Sequence, residues 1–479
     1  MLALTGAVII VSALLSGLVQ RTGFPQVAIF LTLGLLVGPH GLNLLSAWLD
    51  SPILRVVATL SLVLVLFTDA VSLDIGDVRR HRFLSFLILV PGTLASALLI
   101  ALAAWWLLDL PFVMAIVLGA ALASTDPVLL RDLLRRPALG PTVRQALKIE
   151  GGMNDAVLLP VVLGGTELLT GTVGGGDWAL LAGRVLILSP IAGILVALAA
   201  VKTLAAMRSR VGVRRDYESL YSLGIAFAAF AAAEAMHGSG YLAAFAAGLT
   251  VSAIDVELCD CFLEYGETTA EMALLFTFVL FGASLIWSGL TILSMSSALF
   301  VIAVLLARPA SFLPALFPAR LKARERALIA WFGPRGLSSL LLILLPIFAG
   351  VPNSTILLTI CCLVVLVSVV LHGLSSMILV PPEAGAVPTT VAQPESAAAS
   401  PAADPIAQLE DPEYITIDQV TAAMKSGTPV VVLDARSERS YEDSGETVTG
   451  SIRISPDSPV ADTRRHSVAR DAMLAVFCA

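Results

Sequence analysis

From Met1 to about Val380 the sequence alternates apolar runs with short polar loops, and this alternation restricts the fold more than any single motif. A helix of about 20 apolar residues crosses the hydrocarbon core of a bilayer. About thirteen such runs can be counted: 3–19, 25–39, 52–73, 83–107, 111–134, 149–169, 179–203, 219–236, 240–254, 271–288, 291–316, 325–349 and 353–380. Only 14% of the residues are charged and 57% are hydrophobic, whereas soluble domains carry about 25% charged residues. That much apolar surface needs lipid to cover it. The expected fold is an all-α polytopic membrane protein, and a single soluble domain is excluded. No charged segment precedes the first run, so a cleaved signal peptide is not expected. A net charge of −7 gives no overall basic character for nucleic acid. The cysteines (Cys259, Cys261, Cys361, Cys362 and Cys478) show neither zinc-ligand nor disulfide-framework spacing and read as reduced thiols, with Cys478 a special case.

Loop charge predicts the orientation. Arg79, Arg80 and Arg82 fall on the same side as Arg135, Arg136, Arg144 and Lys148. Arg208, Arg210, Arg214 and Arg215 join them, as do Arg320, Lys322, Arg324 and Arg326. The opposite loops hold mainly Asp50, Asp109, Glu167 and Asp177. The N-terminus is therefore expected outside and the C-terminal tail in the cytoplasm. Loop 255–270 is an exception, because it should be cytoplasmic yet carries Asp255, Glu257, Asp260, Glu264 and Glu267. Acidic residues weigh little in the rule, so the orientation stands. The high Ala and Leu content suits a bacterial inner membrane.

After the membrane domain (1–380), residues 381–413 turn to Pro, Ala, Ser and Thr, the composition of a disordered linker with an extended bias. Residues 414–479 read as a short cytoplasmic α/β fragment: a helix in ITIDQVTAAMKSG, then strands in PVVVLDAR, SIRIS and MLAVFC. The fragment stops on a strand, the ending expected of a truncated domain.

Charges inside the apolar runs are the functional signal. A charged side chain at the bilayer centre costs about 2.5–3.5 kcal/mol on insertion scales. In ALASTDPVLL, Thr125, Asp126 and Pro127 stand midway along a run. Pro127 disfavours helix at Asp126, so the helix should break, freeing carbonyls that can ligate a cation and leaving Asp126 to cap the second half. In KIEGGMNDAVLLPVVL, Glu150 and Asn154 share a helix face with Asp155 about 100° around. No further charge follows Asp155 until Glu167, so it is embedded rather than at a frayed end. Arg308 lies within LFVIAVLLARPASFLPALF and needs a counter-charge. Arg335 is surrounded by Gly333, Pro334 and Gly336, a second break. Two broken helices in opposite halves of a chain are the mark of inverted repeats that cross at mid-membrane. Asp69 ends an apolar run and is a candidate funnel residue. Glu234, with His237, is a second and weaker one. GSGYLAAFAAGL (238–249) is a small-residue run suited to close helix packing.

These segments together resemble the monovalent cation:proton antiporters, in the branch of bacterial NhaP-type antiporters and animal sodium/proton exchangers. The resemblance is carried by TGFPQVAIFLTLGLLVGP, STDPVL, EGGMNDAV, GSGYLAAFAAGL, LARPASF and WFGPRGLSSL, in that order over about residues 20–380. It implies a thirteen-helix homodimer, with a dimerisation domain and a core domain that shifts against it. It implies no cofactor and no enzymatic activity. It also implies that Asp155 carries the cation or the proton and Asn154 supports it. Thr125, Asp126 and Arg335 come from the crossing, with Pro127 and Pro334 shaping the breaks. A buried ion pair joins Glu150 to Arg308, with Arg335 the fallback partner. EGGMND departs from relatives by placing Gly151 and Gly152 where Ser-Leu or Ser-Phe is commoner. The tail resembles a rhodanese-like domain, with Cys478 at the position of the sulfur-carrying cysteine. The loop that should follow is absent, so sulfur transfer is not expected of this chain.

The site itself suggests a mechanism. A single carboxylate at Asp155 can hold either H⁺ or a monovalent cation, and both loaded states are neutral. A neutral site crosses a low-dielectric barrier that an empty charged one crosses only at high cost. Hard cations favour oxygen ligands. One titrating carboxylate predicts electroneutral exchange of one cation, Na⁺ favoured or Li⁺, for one proton. The alternatives are K⁺/H⁺ exchange with redox or sulfur-linked regulation through a ligand of the tail, a channel, and a membrane-anchored sulfurtransferase.

Overall fold

The structure, a computed structural model, describes residues 26–39, 41–43, 49, 51–73, 75–134, 136, 138–171, 178–211, 215–254, 275–380, 420, 430–435, 448, 450–454 and 473–477. The run 3–19, the loop 255–270 with Cys259 and Cys261, the linker 381–413 and Cys478 lie outside the described residues. The chain divides into two compact units, Met1–Ala386 and Val387–Ala479.

The first unit is helical throughout. In chain order its helices are α1 (Gln26–Val37), α2 (Pro52–Val71), α3 (Arg82–Leu107), α4 (Phe112–Ala123), α5 (Pro127–Leu134), α6 (Pro141–Thr170), α7 (Leu180–Arg210), α8 (Arg215–Ala235), α9 (Gly240–Ile254), α10 (Leu275–Ile292), α11 (Met295–Ala315), α12 (Ala323–Trp331), α13 (Leu337–Phe348) and α14 (Thr355–Leu379). Among the described residues seven spans are long and apolar enough to cross a membrane, and α9 and α13 are shorter apolar helices. This is a multi-pass membrane protein.

Local chemistry sets several of the ends. α2 and α6 start with Pro at the first position, after Ser51 and Gly140, where a missing N–H costs nothing. α6 ends at Gly171 with φ 69°, the left-handed conformation glycine adopts without a Cβ penalty. α11 opens on a reciprocal cap between Ser294 and Ser297. The sequence pattern starts the sixth span at 149, but α6 begins at Pro141 and runs for 30 residues, about 45 Å. TVRQALK extends the helix below the apolar stretch. Glu150 is thereby moved from an expected helix end to well inside the helix.

Three large apolar clusters hold the described bundle. The largest joins α1, α2, α3, α4, α6, α9, α10, α11, α13 and α14. A second joins α2, α7, α8 and α9. A third gathers Leu84 of α3, Leu133 of α5, Leu147 of α6, Phe312 of α11 and Ile329 of α12. The small-residue run on α9 packs as its composition predicts. A side chain at Gly248 would meet the Phe67 carbonyl of α2, and one at Gly193 of α7 would meet that of Ala243.

The second unit carries three parallel strands, β1 (Val430–Asp434), β2 (Ile452–Arg453) and β3 (Met473–Phe477), in the order β2–β1–β3. Leu433 pairs with Ile452 on one side and with Val476 on the other.

Candidate ion site at the crossing of the broken helices

Both breaks form where proline and glycine place them. α4 stops at Ala123, Ser124 is extended (φ −58°, ψ 135°), and α5 starts at Pro127. α12 stops at Trp331 and α13 starts at Leu337, with Gly-Pro-Arg-Gly between. The breaks touch: the Asp126 N–H donates to the Pro334 carbonyl at 3.0 Å. The Asp126 carboxylate then caps two helices. Its Oδ1 accepts the Val128 N–H of α5 at 2.9 Å, and its Oδ2 accepts the Leu337 N–H of α13 at 2.7 Å. Arg335 Nη1 donates to the carbonyls of Ala123 (2.9 Å) and Ser124 (3.3 Å) at the end of α4. Arg308 Nη2 donates to Ile329 (2.7 Å) and Phe332 (3.1 Å) at the end of α12. Each of the four interrupted helix ends thus meets a side chain whose charge opposes its dipole. Asp126, Arg308 and Arg335 are all buried.

Glycine is needed beside two of these groups. A Cβ at Gly336 would strike the Asp126 carboxylate, and one at Gly333 the Arg308 guanidinium. Gly336→Ala is expected to lower the stability of the purified protein by about 1–3 kcal/mol, the cost of overpacking a filled interior. Thermal unfolding in detergent measures it, and an unchanged Tm would contradict the close approach.

Asp155 faces this crossing from α6. Its Oδ1 accepts the Ser124 hydroxyl at 2.5 Å. Its Oδ2 is buried and has no protein partner among the described residues. The neighbouring Asn154 Nδ2 donates to Thr125 Oγ1 at 2.6 Å, and the Asn154 Oδ1 is likewise buried without a partner. Two oxygen acceptors on adjacent residues are therefore without a partner among the described residues. A buried acceptor left unfilled carries a free-energy cost, which a water, a proton or a cation could offset. One turn earlier Glu150 is tied to Arg308 through both carboxylate oxygens, the Nη2–Oε2 contact being 2.6 Å. The Arg308 guanidinium also lies 4.2 Å from the centre of the Phe312 ring.

The transmembrane sodium/hydrogen exchanger model matches residues 8–380. The chain belongs to the sodium/hydrogen exchanger family. Over 382 residues it is 26% identical to a K⁺/H⁺ antiporter of Alkalimonas amylolytica, covering 77% of this chain and 64% of the relative. Over 374 residues it is 27% identical to a K⁺/H⁺ antiporter of Shewanella sp. (strain MR-4), covering 76% and 64%. The chain thus spans 64% of the length of these curated relatives. The structure of a sodium proton antiporter from Methanocaldococcus jannaschii superposes with a TM-score of 0.65 at 21% identity, covering 78% of this chain and 98% of that one. At that identity the likeness is one of fold.

Within this exchanger-family fold the sequence-predicted residues separate into groups. Thr125, Asp126, Asn154, Asp155 and Arg335 meet at the crossing. Glu150 pairs with Arg308, while Arg335 is used at the end of α4 and makes no hydrogen bond to Glu150. Asp69 is half-buried near the end of α2, where its carbonyl and the Leu73 side chain face Gly152 of α6. A Cβ at Gly152 would meet Leu73 Cδ2 at 2.8 Å, so the Leu73 side chain would have to shift to admit one. Glu234 lies elsewhere. It accepts the Gly240 N–H at 2.8 Å and, with Glu167, Arg184, His237 and Ser239, lines a cavity of about 340 Å³. Glu167 is twelve residues beyond Asp155 on α6, about 18 Å along the helix.

Sequence reasoning missed three residues of the site. Ser124 is the only described side chain that hydrogen-bonds Asp155. Ser339 donates to the Ser124 carbonyl at 3.3 Å, and Ser368 of α14 accepts the Arg335 N–H at 2.7 Å. Only Ser124 carried a signal, through its place next to Thr125-Asp126 in the break.

Proposed function

We propose that the chain is a secondary antiporter that exchanges a monovalent cation for H⁺ by alternating access, with Asp155 holding one or the other. The observation that carries this reading is the buried, unpartnered Oδ2 of Asp155 beside the unpartnered Oδ1 of Asn154. Thr125 and Ser124 supply neighbouring oxygens. Asp126 and Glu150 already have both carboxylate oxygens engaged in helix capping and ion pairing, so Asp155 is the single exchanging acid, and exchange is one-for-one and electroneutral. Na⁺ or Li⁺ suits a small oxygen site. K⁺ is the second reading, favoured by the K⁺/H⁺ names of two relatives.

The proposed assembly is a homodimer of thirteen-span protomers in the inner cell membrane, N-terminus outside and tail in the cytoplasm. Residues 381–413 serve as the linker. Residues 414–479 form a rhodanese-like regulatory fragment, with Cys478 at its sulfur-carrying position. Asp69 and Glu234 are proposed as funnel residues on the way to the crossing.

The test is proton flux in proteoliposomes that carry an imposed pH gradient, with Na⁺, K⁺ or Li⁺ added in turn. One of the three should dissipate the gradient at a rate that a clamped voltage of either sign leaves unchanged. Failure of all three would overturn the antiporter reading, and a voltage-dependent rate would overturn the one-for-one count. Because proton and cation compete for one carboxylate, the apparent KM for the cation should rise by about tenfold per pH unit once protons fill the site. A KM independent of pH would require separate sites.

A further inference from the structure

Two basic segments far apart in sequence, each at a helix junction, come together at one end of the bundle. Arg79, Arg80 and Arg82 precede and open α3, and all three are exposed. Arg320 and Lys322 lie between α11 and α12, Arg324 lies in the first turn of α12, and all three are exposed as well. The first turns of α3 pack on the 3₁₀ turn Phe317–Ala319, and Leu84, Leu87 and Leu316 share one buried cluster with Ala319 and Leu321 at its margin. The only acids in residues 75–87 and 316–331 are Asp77 and Glu325, and Glu325 is engaged in capping the Lys322 N–H at 3.0 Å. Three phenylalanines stand exposed in the same segments: Phe317 (72%), Phe83 (55%) and Phe86 (55%). Arg326 lies 5.3 Å from the centre of the Phe317 ring.

The structure assigns this junction as a binding site for an anionic phospholipid, whose phosphodiester is held between the two segments and whose acyl chains cover the phenylalanines. An excess of Lys and Arg on one face follows from topology alone, but that rule does not bring residues 79–82 against 317–324. Guanidinium groups present a planar fork that fits phosphate oxygens in pairs. Clusters of basic side chains beside membrane helices recognise acidic headgroups. A soluble anion would satisfy the arginines but could not pack on Phe83, Phe86 and Phe317. A lipid satisfies both. None of these residues takes part in the crossing site, and the inference holds whichever ion the protein carries.

The full chain is reconstituted in nanodiscs of phosphatidylcholine alone, or of phosphatidylcholine and phosphatidylglycerol in equal parts. Melting curves and native mass spectrometry report stability and retained lipid. Phosphatidylglycerol should raise Tm by about 3 °C or more and should stay bound through delipidation. Two charge-neutralised triples, Arg79→Gln/Arg80→Gln/Arg82→Gln and Arg320→Gln/Lys322→Gln/Arg324→Gln, should melt like the parent in phosphatidylcholine alone. Each should weaken retention at least about tenfold and cancel the Tm rise, because the headgroup needs both segments. Arg210→Gln, an exposed basic residue of α7, should do neither. Equal loss with Arg210→Gln would mean general surface charge and overturn the site. So would phosphatidylglycerol retention that survives either triple.

Discussion

Asp155→Asn is expected to reduce cation-driven proton flux to that of empty liposomes while leaving the protein folded. The substitution keeps an acceptor for the Ser124 hydroxyl and conserves volume in a buried position, so its effect on stability should be under about 1.5 kcal/mol. What it removes is charge. An amide is neutral whether or not anything is bound, so occupancy by a proton or a cation no longer decides whether the site can cross the low-dielectric barrier. Flux in proteoliposomes beside a melting curve reads both halves of the expectation. Wild-type flux from Asp155→Asn would sink the assignment, and Asp126 or Glu150 would be the next acid to examine. Asp126→Asn should behave differently, because an amide has one carbonyl where the structure uses two oxygens, at Val128 and Leu337. That variant should lose stability first.

The second large effect concerns the Glu150–Arg308 pair. Removing one partner of a buried ion pair costs about 3–5 kcal/mol, because the other charge is left without compensation. Arg308→Met is expected at the upper end of that range. It strands Glu150 and also takes away the donor to Ile329 and Phe332, so the end of α12 is left open. Glu150→Gln should cost less, since the amide still accepts from Arg308 and α12 keeps its cap. Chemical unfolding of the two variants in the same detergent gives the comparison. Equal losses would mean that the helix cap contributes nothing measurable.

The residues that announced themselves in the sequence were those that are expensive in lipid. Asp126, Asp155, Arg308 and Arg335 interrupt long apolar runs, and Pro127, Pro334 and Gly336 mark the breaks beside them. Serine gave no such notice. A hydroxyl costs little in a membrane helix, so Ser124, Ser339 and Ser368 look like their many counterparts along the chain until the crossing brings them together. The choice between Arg308 and Arg335 as partner of Glu150 was also out of reach of spacing, because it depends on which guanidinium is already occupied. Arg335 is taken up by the carbonyls of α4. In the sequence Gly151 and Gly152 read only as a departure from relatives before Asn154. In the fold the second of them is a contact surface for Leu73. The extra turns of α6 below residue 149 were hidden because a membrane-span pattern follows apolarity, and a helix continues for as long as its backbone can.

Sharing one cap between two helices has a consequence for how the protein is made. The partners of Asp126 at Val128 and Leu337 stand two and 211 residues away, and Glu150 and Arg308 are 158 residues apart. At synthesis rates of about 5–20 residues per second, roughly 10–30 s pass between the appearance of Glu150 and that of Arg308. During that interval the nascent α6 holds an uncompensated acid, and α5 is capped without its counterpart. The early helices must therefore wait in a wet or proteinaceous shelter at the insertion machinery, and the second half of the chain releases them by delivering two arginines and one helix N-terminus. Coexpressed halves divided after Ile254 should insert stably only together, each acting as the other's chaperone.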